Sequence, residues 1–489
     1  MQRVNESNLG GRPRPTERII QFGEGNFLRA FMDWKIDRMN EDCGSDYGVV
    51  IVRPIDGGVP ISLNDSDGVY TVLSRGVGGD GQAASDARLI AAVRRELNAV
   101  KQWDDVLGLA RNTDFVAVIS NTTEAGIVYD ASCRADQTPP TSFPAKVTRM
   151  LLERFNNCGE KDAPGFHFLP CELIDKNGNN LEKIVHQHAT DWALGADFIG
   201  WLKSKNAFYN TLVDRIVPGF PRDEVESIEA ELGYHDPLMV TAELFHFLVI
   251  EKRDDQPDLV LPMADKDAGT LIVPSADGYK ERKVAILNGA HTGLCPLALI
   301  SNTVSVKEAM DNGAASRFLD AMLGQEIIPY LSLPKEELAA FSAEVLRRFA
   351  NPFILHRWHD ISLNGLAKFH TRNLPRFEAA MAATGKPPRC MSLSIAAWLV
   401  FYTGDFAASG DLPPRDGDDV IALMQQIGAI KDKGGIAAMV SAFLENETIW
   451  GKNLASDDLV ATVTQAYEFL TKSQNGEPFS LDRLDQWIA

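Results

Sequence analysis

Cysteine is sparse in this chain, with six in 489 residues, at positions 43, 133, 158, 171, 295 and 390. No two stand at C-x-x-C spacing and no secretory leader is visible, so neither a disulfide framework nor a structural zinc is expected; the expected compartment is the reduced cytoplasm. Basic residues are also short. Against 67 Asp and Glu stand 48 Lys and Arg, a formal net charge of −19, and such a surface repels nucleic acid and anionic membrane. An anionic small molecule would need its own basic pocket. No apolar run reaches the ~18 residues of a membrane span, and the most apolar, near Ile395–Tyr402, reads as a buried helix. No internal repeat or low-complexity block is evident. What is present is 45% hydrophobic over 489 residues, enough for two or more cores.

The opening Met1–Thr16 is polar and proline-bearing and reads as a loose arm. Arg18–Phe22 then reads as a short buried strand, followed by Gly23-Glu24-Gly25 and a helix with apolar positions Leu28, Phe31, Met32, Ile36 and Met39. Strand, glycine turn, helix is the nucleotide-binding order, with the helix N-terminus near Asn26 facing a pyrophosphate. A third glycine is missing, since Leu28 and Ala30 stand where it would fall, so a purely structural turn is the competing reading. Phe22, Gly23, Gly25, Asn26 and Phe27 are the cofactor candidates here.

Tyr47–Val52 reads as the second strand and ends in Arg53-Pro54-Ile55-Asp56. A terminal acid would bind the adenosine ribose, whereas Arg53 can accommodate a 2′-phosphate, so these residues leave NAD and NADP both open. Ala87–Val100 reads as a helix, and Phe115–Ile119 as a strand running into Ser120-Asn-Thr-Thr-Glu-Ala-Gly126. Polar residues just past a strand's carboxyl end are where doubly wound sheets place ligands, which makes Asn121, Thr123 and Glu124 candidates for the nicotinamide side. Ala145–Phe155 reads as a helix and Phe166–Cys171 as a strand. In Thr211–Pro218, Asp214 and Arg215 lie in an apolar frame and need pairing if buried; Asp214 is kept as a substrate-side candidate, beside the reading of a structural ion pair.

The segment Glu281–Thr292 concentrates chemistry. On a straight α-helix Lys283 and Asn288 lie roughly 140° apart, with His291 roughly 80° from the first and 60° from the second. All three share one broad arc, and the intervening Val284–Leu287 is apolar enough to bury the segment, so the polar groups face a lined cavity or need partners. Beyond it helical patterns dominate: 306–323, 336–349, 393–402, 420–427 and 436–444, with Ser456 before two acids as a helix start. The stretch 351–376 holds His356, Arg357, Asn364, Lys368, His370, Arg372 and Arg376, cationic in an acidic chain. That composition suits a solvated helix face, and it also suits an anion pocket.

Together these residues resemble the polyol-specific long-chain dehydrogenases, the family of mannitol dehydrogenases and hexuronate reductases. G-x-G-x-F-x-R is matched by Gly23, Gly25, Phe27 and Arg29; T-E-x-G by Thr123, Glu124 and Gly126; V-D-R-I by Val213–Ile216; and K-x4-N-x2-H by Lys283, Asn288 and His291. The likeness runs over most of the chain, and segments such as 19–31, 120–127, 170–175 and 231–236 resemble the hexuronate-reductase branch. The resemblance implies an α/β fold, a Rossmann-type domain over 1–278 and a mostly α-helical substrate-binding and catalytic domain over 279–489. It also implies metal-independent, NAD-dependent reduction of D-tagaturonate to D-altronate in hexuronate breakdown; a monomer or small homo-oligomer is expected, the sequence leaving the state open. In the family the motif lysine is the acid/base and the asparagine and histidine hold the reacting oxygen, which assigns Lys283, Asn288 and His291.

Two departures stand out. Mannitol dehydrogenases carry an active-site asparagine where this chain has Leu173, and a glutamate where it has Lys280. The second change adds positive charge suited to a carboxylated substrate, so Lys280, Lys368 and Arg372 join Asp214 as substrate candidates. A fructuronate reductase, a mannitol-type polyol dehydrogenase and an NAD-retaining sugar-acid epimerase are the alternatives.

Overall fold

The computed structural model describes all residues except 58–60, 124, 407–411 and 475. The chain divides into two compact units, Met1–Gly76 with Ala84–Ala276, and Val77–Ala83 with Asp277–Ala489.

The described strands are β1 (Glu17–Phe22), β2 (Gly48–Arg53), β3 (Tyr70–Val77), β4 (Ala83–Ile90), β5 (Val93–Asn98), β6 (Ala117–Ser120), β7 (His167–Pro170), β8 (Ala207–Phe208), β9 (Asn210–Asp214), β10 (Val240–Glu243), β11 (Phe247–Glu251) and β12 (Thr270–Val273). Six of them form one sheet in the order β5-β2-β1-β6-β7-β8; β10-β3-β4 and β12-β11-β9 form two smaller ones. Every pairing in the large sheet is parallel. Numbered among its own members the order is 3-2-1-4-5-6, the dinucleotide-binding arrangement, whose crevice opens beyond the carboxyl ends of the first and fourth strands. Those are β1 and β6, with Phe22 in register with Ser120.

The strands read as unbroken apolar runs because both faces are covered. Ile20, Phe22, Val50, Val52 and Val118 enter one core, to which Val106, Val147 and Val185 come from the helices Trp103–Arg111, Phe143–Asn157 and Asn177–Asp191. Ile19, Val49, Ile51 and Ile119 enter the other, with Phe31 and Ile36 from the helical stretch that follows Gly25.

Two expectations fail in this unit. Ala87–Val100 is not a helix; it supplies the end of β4 and all of β5. Its residues favour helix one by one, but pairing with β2 buries Val93 and Leu97 at the sheet edge, and that packing outweighs local propensity. Nor is the opening segment loose. Val4 and Leu9 share a small core with Val69, Ala91 and Tyr234, and Arg12 reaches the Asp37 carboxylate at 2.6 Å.

The second unit is helical. Its central helix Arg389–Thr403 is buried almost throughout and packs on Asp457–Thr471 and Gly289–Ile300. Asp277–Ile300 runs as one helical stretch of 24 residues, apolar enough by length and composition to cross a membrane, yet 83% of its apolar window is buried inside the protein. It is a core helix, and it carries the Lys283 motif.

Candidate active site

At the carboxyl end of β1 the chain turns through Gly23, whose φ is +113° and whose N–H donates to the Val52 carbonyl at 3.1 Å. A Cβ there would stand 3.0 Å from the Asn121 carbonyl oxygen in a backbone conformation L side chains avoid, so glycine is required. Gly25 is different. It begins the helix with no side-chain cap, and a Cβ on it would meet nothing within 4 Å, leaving the helix N-terminus open for an anion. Buried Arg29 clamps the turn from beneath: its Nε donates to the Glu24 carbonyl at 3.0 Å, its Nη2 to Asn26 Oδ1 at 2.7 Å and its Nη1 to the Leu238 carbonyl. Phe27 stacks on Phe31 with ring centres 5.1 Å apart.

Across the crevice, Asn121 donates its N–H to the Phe22 carbonyl at 3.1 Å and its Nδ2 to the Cys171 carbonyl at 3.0 Å. Thr123 is exposed at φ +99°, a strained conformation for a β-branched residue and of the kind that clusters at ligand sites. Glu124 lies outside the described residues. Sequence reasoning passed over Glu172. Its carboxylate accepts from Ser120 Oγ at 3.1 Å and from the Thr122 N–H and Oγ1, each at 3.0 Å, tying the ends of β6 and β7 together, and burial pushes its pKa up. The one signal was an acid directly after a strand. The next residue, Leu173, is 66% exposed at the same edge.

Three candidates are placed differently from expectation. The Phe22 ring is fully buried against Phe143, edge to face at 5.1 Å, so only its backbone borders the crevice. The Arg53 guanidinium is 3.1 Å from the Glu96 carboxylate and donates to the Ile61 carbonyl at 2.7 Å, so its charge is paired inside the fold. Asp214 is buried at the end of β9 opposite Phe247. The expected ion pair with Arg215 does not describe that arginine, which donates to the carbonyls of Ala30 at 2.6 Å and Glu243 at 3.0 Å and lies over the Trp34 ring at 4.4 Å.

In the helical unit Lys283 does not open a helix. It continues one begun at Asp277 and starts a π turn, Lys283–Asn288, in which the Gly289 N–H reaches the Val284 carbonyl five residues back. The wider turn sets residues i and i+5 nearly one above the other, so Lys283 and Asn288 are closer in direction than a straight α-helix allows. The middle residues Ala285, Ile286 and Leu287 are buried, while Lys283 and Asn288 are half-buried.

His291 follows, buried and stacked on Phe349 with ring centres 3.9 Å apart, with His356 edge-on at 5.0 Å. Burial, then the charges of His356, Arg348 and Arg372, drive its pKa well below the ordinary imidazole value, against a hydrogen bond to the Leu287 carbonyl. The ring is therefore neutral, with one nitrogen donating to that carbonyl and the other left as an acceptor.

Two neighbours brace this stretch without having been foreseen. Thr292 Oγ1 donates to the Asn288 carbonyl at 2.9 Å and accepts from Arg372 Nη1 at 3.1 Å. Fully buried Asn373 donates its Nδ2 to the Gly289 carbonyl at 3.0 Å. Lys368 is one helical turn before Arg372 and donates to the Ile361 carbonyl at 2.9 Å; burial and then Arg372 lower its pKa. Arg376 is bound to the Glu281 carboxylate, so the cationic stretch is in part a set of internal ties. Lys280 is exposed on the turn before Lys283. The motif residues, Lys368 and Arg372 thus gather in one unit, while Asp214 and the cofactor candidates belong to the other.

Residues 17–261 match the model of the mannitol dehydrogenase Rossmann domain, and residues 275–471 that of the mannitol dehydrogenase C-terminal domain. An altronate oxidoreductase of Enterobacter sp. (strain 638) is 45% identical over 467 residues, 95% of this chain and 96% of that protein. One from Yersinia enterocolitica is 42% identical, covering 97% and 98%. Among solved structures, a substrate-free D-sorbitol dehydrogenase superposes with a TM-score of 0.81 at 20% identity over 99% of this chain and all of that one. Mannitol 2-dehydrogenase of Pseudomonas fluorescens, solved with NAD and D-mannitol, superposes at 0.66 and 20% identity, covering 97% and 98%. With both domain models matched in order and relatives aligned over nearly their whole length, the chain belongs to the mannitol dehydrogenase family and is an oxidoreductase acting on CH–OH groups.

Proposed function

We propose that the chain reduces D-tagaturonate to D-altronate, reversibly, with NAD as hydride carrier and Lys283 as general acid and base. Residues 1–278 form the nucleotide domain of this reading and 279–489 the substrate and catalytic domain. The observation that carries it is the π turn that draws an ammonium and an amide to one side of a buried helix, followed within one turn by a neutral imidazole. The altronate oxidoreductase relatives supply the substrate class.

The nicotinamide, when bound, supplies hydride to the ketone carbon. The turn at Gly23–Gly25, with its uncapped helix start, fits a pyrophosphate, and Asn121 and Thr123 border the same crevice. Neutralisation of Arg53 by Glu96 favours NAD over its 2′-phosphate. As negative charge grows on the substrate oxygen, Lys283 Nζ donates a proton to it and the Asn288 amide donates a hydrogen bond. The acceptor nitrogen of His291 holds the adjacent hydroxyl, fixing the angle of attack. Lys280, Lys368 and Arg372 supply positive charge for the carboxylate.

The test is an NADH-oxidation assay with tagaturonate, fructuronate and fructose, each run also with NADPH. Tagaturonate with NADH is expected to be fastest. A preference for fructose or fructuronate overturns the substrate, and epimer formation without NADH consumption overturns the reaction.

A further inference from the structure

Beneath the glycine turn lies a buried polar cluster that the proposed chemistry does not use. Asp33, on the helical stretch after Gly25, is fully buried, as is Tyr70 of β3. The Tyr70 hydroxyl is 2.9 Å from Asp33 Oδ2 and 3.0 Å from the Arg29 carbonyl oxygen. Gln21 of β1, also fully buried, donates Nε2 to the Gly23 carbonyl at 3.2 Å and to Asp33 Oδ2 at 3.3 Å. Asp33 is thereby linked through Gln21 to the first glycine of the turn, and through Tyr70 to the arginine that clamps it.

The protons in this cluster do not add up if Asp33 is ionised. A phenol carries one proton, yet Tyr70 stands at bonding distance from two oxygens; a carboxylate and a carbonyl both only accept. Asp33 Oδ1 and Gln21 Oε1 are also buried with no partner among the described residues, so no further donor reaches the cluster there. A proton on Asp33 resolves the contacts: Asp33 donates to the Tyr70 oxygen, and Tyr70 donates to the Arg29 carbonyl.

We propose that Asp33 is a positioning residue for the cofactor turn that works in its protonated form, so that NADH is held less tightly once this buried proton leaves. The proposal rests on the reading of Gly23–Gly25 as the cofactor turn. The groups facing Asp33 are Tyr70 from β3, Gln21 from β1, and Arg29 and Asp37 from its own helical stretch, with Asp236 and Glu24 acting on Arg29. Burial dominates over the Tyr70 and Gln21 hydrogen bonds and the Arg29 charge, and raises the Asp33 pKa to about 7. The sign follows. An unfolded aspartate releases its proton near 3.8, so the stabilising proton is fully kept at low pH and lost as pH rises through neutrality. Ionisation then leaves Tyr70 to choose between Asp33 and Arg29, and the turn loosens.

The experiment is NADH binding by the full-length protein, read by fluorescence from about pH 6 to about pH 9, the range in which a near-neutral carboxyl titrates. The wild-type dissociation constant is expected to rise about tenfold, the loss of roughly one hydrogen bond's worth of order. Asp33→Asn, the isostere of the protonated carboxyl, is expected to bind at the acid-limb affinity with a flat profile. A flat wild-type profile, or an Asn variant that keeps the step, overturns the proposal and leaves the cofactor reading standing. Failure of NADH to bind at any pH overturns the cofactor reading, and the proposal with it.

Infrared difference spectra of the wild-type and Asp33→Asn apoproteins supply a second readout, the subtraction removing the bands of other buried carboxyls such as Glu326, whose pKa burial also raises to about 7. The carbonyl band of a buried protonated carboxyl should vanish with the midpoint of the affinity change, and a mismatch between the two overturns the proposal.

Discussion

The same helical irregularity serves opposite ends in the two units. In the Rossmann unit the π turn Arg29–Asp33 has all five residues buried, and its polar members face inward, Arg29 holding backbone carbonyls and Asp33 meeting the Tyr70 hydroxyl. In the helical unit the π turn Lys283–Asn288 buries its middle and leaves Lys283 and Asn288 half-buried at its two ends. One extra residue in a turn re-registers side chains, and burial decides whether the re-registered groups are locked in as scaffold or left open, as the reagent role proposed for Lys283 and Asn288 requires. On the proposed reading the first site is made chiefly of backbone, shaped by Gly23 and Arg29, and the second of side chains.

The largest effect is therefore expected at the reagent end. Lys283→Ala should lower turnover by about 10²–10⁴-fold, the usual worth of a positioned acid or base. NADH affinity should stay within about twofold, since no interaction that raises cofactor affinity is ascribed to this side chain. Stopped-flow turnover near the wild-type rate would remove the lysine from the mechanism. At the scaffold end Arg29→Met strands the Glu24 and Leu238 carbonyls and is expected to cost about 3 kcal/mol of stability, from two buried acceptors each losing its donor. Denaturant midpoints and NADH titration should both report it, while turnover at saturating NADH changes little. A variant that loses turnover yet keeps NADH affinity would reverse the assignment of scaffold and reagent.

This contrast also explains what the sequence made legible. Lys283, Asn288 and His291 could be singled out one by one because the chemistry proposed for them restricts those positions to particular side chains. A Rossmann-type domain was expected from the strand, glycine turn and helix that open it, but the end of β4 and all of β5 were read as helix because 87–100 is rich in helix formers and only pairing with β2 fixes it as strand. The π turn left no periodic signal, since a single inserted residue is invisible against a 3.6-residue period. The Arg372 contact of Thr292 and the Gly289 contact of Asn373 join residues about eighty positions apart, and a Thr or an Asn in one sequence carries no mark of such a partner.

Acid should act on the helical unit more than its net charge suggests. Burial and neighbouring cations depress the His291 imidazole well below its ordinary value of 6.5. For a base with a depressed folded pKa, the stability is present above 6.5 and is lost as pH falls through the unfolded value, by up to about 1.4 kcal/mol per pH unit. Urea midpoints at about pH 7.5 and about pH 5 should differ in that sense, with the dependence reduced in His291→Asn. Equal dependence in both proteins would place the acid sensitivity elsewhere.

The smallest effect, and the sharpest for the comparison, concerns Thr292. Its hydroxyl joins two functions, donating to the Asn288 carbonyl at the end of the π turn and accepting from Arg372. Thr292→Val keeps the shape and removes both bonds, each worth about 1 kcal/mol. If Arg372 acts chiefly as a tether for the turn, Asn288 loses its placement and turnover falls about fivefold with little change in KM, because a transition-state contact has been weakened. If Arg372 also binds the substrate carboxylate, release from Thr292 lets its side chain wander and KM rises as well. A KM change with turnover intact would show that the π turn holds its shape without this brace, and that the reagent end is as rigid by its backbone as the scaffold end.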